Sequence, residues 1–355
     1  MTPSSPERLA LARGVHRIAL PTPMVASVNC WLIVDRPLTL VDAGLNWGGA
    51  LDALELELRR LGFALEQIDL LVLTHQHVDH TGLAETLLAR SGADLAVHAR
   101  LAAWLDALPD SLLADDDLIA ARLGAHGAPA AVVAAYVARM EMMRMLGSRP
   151  RPSVVLGEGE TLALRDRSLR VSLRPGHSPT DTVLTDAAGG LAFTGDHLMP
   201  GARTTPYLDP DAGSDRDAGS DRGGAGWEAD LAPARALRAS LGRTAATPPG
   251  VLGLPGHGDG FADVGAAARE ALASQQRRAL RLLDRFDATP LTAWELTTRA
   301  YPRLTPSRAF LGLLEVLAQL SVLLDEGLVE AVASGGRPRF RRAQARAGRV
   351  SRSAA

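Results

Sequence analysis

Residues 74–82 read Thr74-His75-Gln76-His77-Val78-Asp79-His80-Thr81-Gly82 and follow directly on the apolar run Leu70 to Leu73. A short, continuous apolar run is the mark of a strand buried on both faces. The histidine-rich stretch therefore sits where a strand stops, and Leu83 to Arg90 reads as the helix beyond it. In extended backbone, residues two apart point to one side, so His75 and His77 can converge on one ion. Asp79 and His80 come where the chain turns and can reach a neighbouring position. Neutral imidazole and carboxylate suit zinc, with iron or manganese as alternatives. A lone histidine is usually an ordinary surface or partly buried residue. Three histidines and an aspartate within six positions at a strand end are not a packing pattern.

Working outward, single histidines recur in matching contexts. Arg174-Pro175-Gly176-His177 follows a strand-like run, Thr194-Gly195-Asp196-His197 follows another, and Leu254-Pro255-Gly256-His257-Gly258 follows a third. Each puts a metal-competent side chain on a Gly-containing loop, and loops at one end of a rigid sheet commonly carry active-site residues. His16 in an early strand, His98 at a strand end and His126 in a Gly/Ala-rich loop are read as ordinary residues.

The remaining chain supports a layered α/β architecture. Cys30 to Val34 and Leu38 to Val41 form a hairpin across Asp35-Arg36-Pro37, and Ala50 to Leu61 carries leucines at helical spacing. Leu95 to His98 is a strand. Residues 101–148 are mostly helical, with Met140, Met142, Met143 and Met145 clustered near their end. Strand signals return at Ser153 to Val155, Leu169 to Leu173, Thr182 to Leu184 and Leu191 to Thr194. Residues 211–222 repeat the hexapeptide DAGSDR in tandem inside a Gly/Asp/Ser-rich stretch, expected to be a mobile surface loop over about 209–226. Beyond Asp263, helices are expected at 264–286, 291–300 and 306–326, the second opening with a Thr292/Glu295 capping box. A hairpin follows over Leu328 to Val332 and Arg337 to Arg342, and three helices with a hairpin read as a winged-helix unit.

Composition removes several functions. The 355 residues suffice for about two domains. The chain has no lysine: all 38 basic residues are arginine, so Schiff-base lysine chemistry and a Walker-type phosphate lysine are excluded. A single cysteine, Cys30, excludes a disulfide framework and Cys-rich zinc fingers and fits a reducing compartment. The start MTPSSPERLALARG carries Glu7 and lacks a signal-peptide core, and no run of about 18 uninterrupted apolar residues occurs. A cytoplasmic protein without membrane partners is expected. The net charge of -2 is unevenly spread: seven arginines and no acid follow Gly336, leaving residues 1–336 at -9.

The set His75, His77, Asp79, His80, His177, Asp196 and His257 resembles the metallo-β-lactamase-fold hydrolase superfamily, whose seven two-metal ligand positions match in order. Val41-Asp42-Ala43-Gly44 resembles the family's second-strand motif, and the likeness spans roughly residues 14–260. Residues 263–342 look like the winged-helix domain of the subgroup containing the mammalian lactamase-β-like protein 2. The resemblance implies an αββα sandwich over 1–262 with a helical insertion at about 101–148, a winged helix over 263–342 and a basic tail over 343–355. By the same resemblance His75, His77 and His177 bind one metal, Asp79, His80 and His257 a second, and Asp196 bridges them. Two divalent ions, zinc first, then activate a bridging hydroxide for hydrolysis. Asp42 is expected to orient a histidine or loop, with a plain strand-end turn as the alternative. His197 is expected beside the ligands or lining the cleft, because neighbouring residues on an extended loop point apart.

Three functions remain open on the sequence. One is hydrolysis of an ester, thioester or lactone as a small-molecule substrate, with the methionine cluster either as an adaptable apolar lid or as insertion packing. Another is cleavage of single-stranded RNA through Arg337, Arg339, Arg341, Arg342, Arg346, Arg349 and Arg352, less favoured because Phe340 is the only aromatic there. A ligand-sensing DNA-binding protein fits least, because the helix Ser307 to Leu324 has few donors for base edges. The C-terminal unit either walls the cleft or mediates self-association.

Overall fold

The computed structural model describes residue 10 and residues 13–23, 27–107, 112–201, 203–209, 226–334 and 337–344. Its first sheet runs in sequence order through β1 (Val15–Pro21), β2 (Ser27–Ile33), β3 (Thr39–Val41), β4 (Leu70–Val72), β5 (Asp94–His98) and β6 (Val154–Leu156). The first three strands are antiparallel; β3 to β6 are parallel. A second sheet holds β7 (Thr161–Ala163), β8 (Ser168–Leu173), β9 (Thr182–Asp186), β10 (Leu191–Gly195) and β11 (Leu252–Pro255) in the order β11-β10-β9-β8-β7. Only the β10/β11 pair of that sheet is parallel.

The helices are α1 (Gly48–Arg60), α2 (Val78–Thr81), α3 (Ala84–Ser91), α4 (Ala99–Asp106), α5 (Leu112–Ala125), α6 (Ala130–Met145), α7 (Ala232–Thr244), α8 (Val264–Leu282), α9 (Ala293–Ala300) and α10 (Pro306–Asp325). The hairpin β12 (Val329–Ser334) and β13 (Arg337–Arg342) closes the chain.

Alternation along the strands builds four layers, because successive side chains face opposite ways. Trp31, Ile33, Val41, Leu70 and Val72 pack against Val171, Leu184, Phe193 and Leu254 of the second sheet. Their neighbours Cys30, Leu32, Leu40 and Leu71 face the other way, onto Leu54 and Leu58 of α1, Leu87 of α3 and Leu101 of α4. On the far side, Val183 and Ala192 meet Leu237 and Leu241 of α7 and Val264 and Ala268 of α8. The order is helix, sheet, sheet, helix, as expected.

A fourth cluster joins what the sequence separates. Leu123 of α5 and Val132 and Tyr136 of α6 share a core with Leu296, Phe310, Leu313, Leu317 and Phe340. The expected insertion over 101–148 is thus two things: α4 belongs to the first sheet's helix layer, while α5 and α6 pack on the C-terminal helices. Helix α8 serves both regions, burying Val264 and Ala268 against the sandwich and Ala279 and Leu282 in the shared core. Three helices and a hairpin do follow residue 263, and the Thr292/Glu295 capping box forms through reciprocal bonds of 3.1 and 2.7 Å.

Helix α10 is long and apolar enough to cross a membrane, yet most of it is buried inside the protein, where it forms the centre of the shared core. Strand β7 and helix α7 add elements that the sequence reading did not assign. The tandem repeat over 211–222 and Arg346, Arg349 and Arg352 lie outside the described residues.

Candidate metal centre

The histidine-rich stretch starts just past β4, at the carboxyl ends of the parallel strands, where ligand sites of open α/β sheets cluster. Asp42 shapes it from the end of β3. Its φ of 63° lies in the left-handed region, which few residues besides Gly, Asn and Asp tolerate. The Thr74 amide donates to Asp42 Oδ1 at 2.8 Å and the Thr74 hydroxyl to Oδ2 at 2.9 Å. The chain then winds through the single turn of α2, and the Ala43 amide donates to the His80 carbonyl at 2.8 Å. On the second sheet, the Gly256 amide donates to the Gly195 carbonyl at 2.9 Å, setting the Asp196 and His257 loops side by side.

Seven donors meet there in two groups. His77 Nδ1 lies 3.2 Å from His75 Nε2 and 3.0 Å from His177 Nε2. His257 Nε2 lies 3.3 Å from Asp79 Oδ2, with His80 completing that group. Asp196 touches both: Oδ2 is 3.5 Å from His177 Nε2 and 3.4 Å from His257 Nε2, while Oδ1 is 3.5 Å from His80 Nε2.

The far edges of the rings explain their orientation. His177 Nδ1 donates to the Thr205 carbonyl at 2.8 Å, and His257 Nδ1 to the Ser27 carbonyl at 2.6 Å. A carbonyl only accepts, so Nδ1 carries the proton and Nε2 points its lone pair at the centre when the ring is neutral. His80 Nδ1 meets Asp42 Oδ2 at 2.9 Å, and His75 Nδ1 meets the Thr74 hydroxyl at 3.0 Å. Such partners behind a histidine raise its basicity as a metal ligand.

Two atoms test the fit of a cation directly. His80 Nε2 and Asp196 Oδ1 are buried, and among the described residues neither has a hydrogen-bond partner. A buried acceptor left unsatisfied costs about 1–3 kcal/mol. A divalent ion between them satisfies both. Gly256 makes room for this arrangement, since a Cβ there would stand 2.3 Å from Asp196 Oδ1 and 2.6 Å from His80 Cε1.

Charge follows the same division. Burial, with the neighbouring histidines, holds His75 well below its ordinary range and takes His77 down to about 3, so both rings are neutral. Burial also opposes charge at His257, but contacts with Asp196 and Asp79 outweigh it and push the ring up to about 10. At His80, Asp196, Asp42 and Asp79 likewise overcome burial and raise the ring well above its usual range. Burial would raise the Asp79 and Asp196 carboxyls; the charge of His80 leads the effects that hold both low.

Asp42 meets His80 Nδ1 and also turns the chain at the end of β3. His197 stands apart from the donor groups. Fully buried, it places Nε2 2.9 Å from the Thr244 hydroxyl of α7, and burial, with Arg174 and Arg243, lowers it to about 3. His126 is a core residue paired with Asp230 at 2.8 Å, and His98 accepts from the Arg100 amide at the start of α4.

Sequence reasoning missed the strap 203–209. Besides the Thr205 carbonyl it supplies Tyr207, whose ring stands edge-on to His77 and His177 at 5.1 and 5.4 Å. Burial pushes the Tyr207 phenol up to about 12, so it remains a donor at neutral pH. The strap is anchored at Leu208 in the shared core and at the Asp209 carbonyl, which accepts from Arg122 of α5 at 2.9 Å. Arg122 also pairs with Asp230 at 3.2 Å.

An αββα sandwich with two carboxylate-linked histidine groups at one strand-end edge defines a metal-dependent hydrolase, and the chain belongs to the metallo-beta-lactamase superfamily, whose family model matches residues 24–257. It is similar to the probable metallo-hydrolase YqjP of Bacillus subtilis (strain 168), 24% identical over 337 residues that span 92% of this chain and 97% of that protein. Among solved structures, it resembles the metallo-beta-lactamase family protein TTHA1429 from Thermus thermophilus, with a TM-score of 0.74, 28% identity, and coverage of 94% of this chain and 100% of that one. A beta-lactamase domain protein from Burkholderia ambifaria shares the fold at a TM-score of 0.70 and 23% identity, covering 93% of this chain and 92% of that one. These spans exceed residues 24–257, so the likeness includes part of the C-terminal unit.

Proposed function

We propose that the protein is a binuclear metal-dependent hydrolase of an ester, thioester or lactone. The observation that carries this reading is the pair of donor groups meeting at Asp196. His75, His77 and His177 would hold one divalent ion, Asp79, His80 and His257 the other, and Asp196 would join them. Zinc suits this donor set best, with iron or manganese as alternatives. When bound, such a pair makes water acidic enough to attack a carbonyl near neutral pH and stabilises the developing oxyanion.

The chain's own residues supply the rest. Asp42 holds His80 by Nδ1 and so aims Nε2 at the centre. Asp79 engages His257 through Oδ2. Tyr207 sets its ring edge-on to His77 and His177, and its phenol stays protonated at neutral pH. No side-chain nucleophile is needed: Cys30 is buried in β2, and burial raises its thiol well above the usual range.

Two features favour an acyl substrate over RNA. The end of α6 is tied to the donor loop, with the Asn46 amide on the Leu146 carbonyl and the Ser148 hydroxyl on the Thr81 carbonyl, which keeps the methionine-bearing end of that helix next to the loop. Of the strand arginines, Arg339 is engaged by Glu295, Arg341 by Glu330 and Arg342 by the Leu283 carbonyl. They bind their own unit. Residues 263–342 serve, in this reading, as a winged-helix-like unit that walls the cleft. A panel of thioesters, lactones, phosphodiesters and RNA, run on metal-loaded protein, tests the assignment. Turnover of acyl compounds alone supports it, and RNA cleavage without acyl turnover contradicts it.

A further inference from the structure

Strand β2 holds the loop that carries His257. Side chains alternate across a strand, so Asn29 shares a face with Trp31, which packs between the two sheets. Asn29 is fully buried there. Its amide nitrogen donates to the Pro255 carbonyl at 2.9 Å and to the Gly258 carbonyl at 2.8 Å. Its oxygen accepts from Arg17 Nε at 2.8 Å. A guanidinium only donates, so that bond fixes which way the amide is turned. The same guanidinium reaches Asp259 Oδ1 at 2.8 Å, just past the loop.

His257 lies between the two carbonyls that this one NH2 group joins. Main-chain bonds complete the attachment: the Asn29 amide donates to the Gly256 carbonyl at 2.7 Å, and the His257 ring donates to the Ser27 carbonyl at 2.6 Å. Trp31 Nε1 adds a second donor to the Pro255 carbonyl at 3.1 Å. Every residue from 255 to 258 is therefore bonded to β2. These bonds serve one ligand. The rings of the other donor group lean on other partners, His75 on the Thr74 hydroxyl and His177 on the Thr205 carbonyl.

We propose that Asn29 is the positioning residue of His257. It closes residues 255–258 around the ring and so sets the affinity of the Asp79, His80 and His257 group for its ion, leaving the His75, His77 and His177 group to its own supports. The proposal rests on the two-ion reading above, and the two measurements below keep them separable.

The first is calorimetric titration of the full chain with zinc. Asn29→Asp keeps the shape and the acceptor toward Arg17 but sets a carboxylate oxygen against two carbonyls, and Asn29→Ala removes the amide. In either variant one binding step should weaken by about tenfold or more, the size seen when a ligand loses its support, while the other stays within about twofold. In a His257→Ala background the same substitutions should leave the remaining affinity unchanged, because the residue they act through is gone. Equal weakening of both steps overturns the proposal, as does a loss that persists without His257; either would mark a general structural effect. Melting temperatures show which variants fold.

The second needs no metal. In protein labelled with 15N-histidine, the ring proton that His257 donates to the Ser27 carbonyl is assigned by its absence from His257→Ala. Its exchange with solvent should quicken by about tenfold or more in Asn29→Asp, as the bond opens more often. Arg17→Met, which leaves the buried amide in place but unfixed, should quicken it too and serves where the Asn29 variants do not fold. An unchanged exchange rate overturns the proposal. Fewer than two zinc ions bound by the unaltered protein contradicts the two-ion reading instead, and the exchange rate still decides the role of Asn29.

Discussion

Asp42 Oδ2 lies 2.9 Å from His80 Nδ1, and both groups are buried. The same carboxylate accepts from the amide and hydroxyl of Thr74, so one side chain at the end of β3 orients a ring and shapes the start of the donor loop. Asp42→Ala should therefore lower metal affinity by about 10–100-fold, the usual cost of losing such a partner. It should also lower stability, since the Thr74 amide loses its acceptor at about 1–3 kcal/mol. Chelator competition and thermal melting measure the two effects separately.

Metal uptake should release protons. In the metal-free protein His257 is pushed up to about 10 and His80 lies well above its ordinary range, so both are charged at neutral pH. A histidine raised on folding stabilises the protein below its unfolded value, about 6.5, and loses that contribution as pH climbs through the folded one. For His257 the window runs from about 6.5 to about 10. Metal-free protein should therefore lose stability across it, and metal affinity should rise with pH over the same range. Calorimetry in buffers of different ionisation enthalpy reads the proton count directly. Binding heats independent of buffer would sink this account.

Gly256→Ala should abolish metal binding with the fold intact. The new methyl would overlap Asp196 Oδ1 and His80 Cε1, both of which serve the centre. Far-ultraviolet circular dichroism should be unchanged, while metal content falls. Retention of both ions by this variant would show that the loop has more freedom than the geometry allows.

Arg122 should act on the centre from a distance. It ties Asp230 to the Asp209 carbonyl, and the strap ending there carries Thr205 and Tyr207 onto His177 and His77. Arg122→Met takes the guanidinium from a buried carboxylate that keeps, among the described residues, only His126 as partner, and should lower the melting temperature. Combining it with Asp230→Asn should recover part of the melting temperature. A weaker metal affinity that persists in the recovered double variant is the expected sign of the strap's positioning role.

How much of this was legible in sequence depends on the kind of interaction. The donors were, because histidines and aspartates keep their identity wherever the chain puts them, and the strand-end context of His75, His77, His177 and His257 is local. The partners behind His177 and His257 were not. Those are the main-chain carbonyls of Thr205 and Ser27, and any residue can supply a carbonyl. Tyr207 was hidden for a related reason: it lies in an irregular segment with no period to mark it. The core shared by α6 and α10 joins Tyr136 to Phe310, and no local pattern reports a contact of that separation. His197 shows the limit of reading neighbours. Adjacency to Asp196 suggested the cleft, whereas the backbone turns its ring onto Thr244.

The central claim is that two ions share Asp196 and that hydrolysis depends on them. Metal analysis of the unaltered protein and of Asp196→Ala, with acyl hydrolysis followed on the same samples, tests it most directly. The account predicts close to two divalent ions per chain, and loss of metal and hydrolysis together in the variant. Full hydrolysis by protein stripped of metal would contradict it.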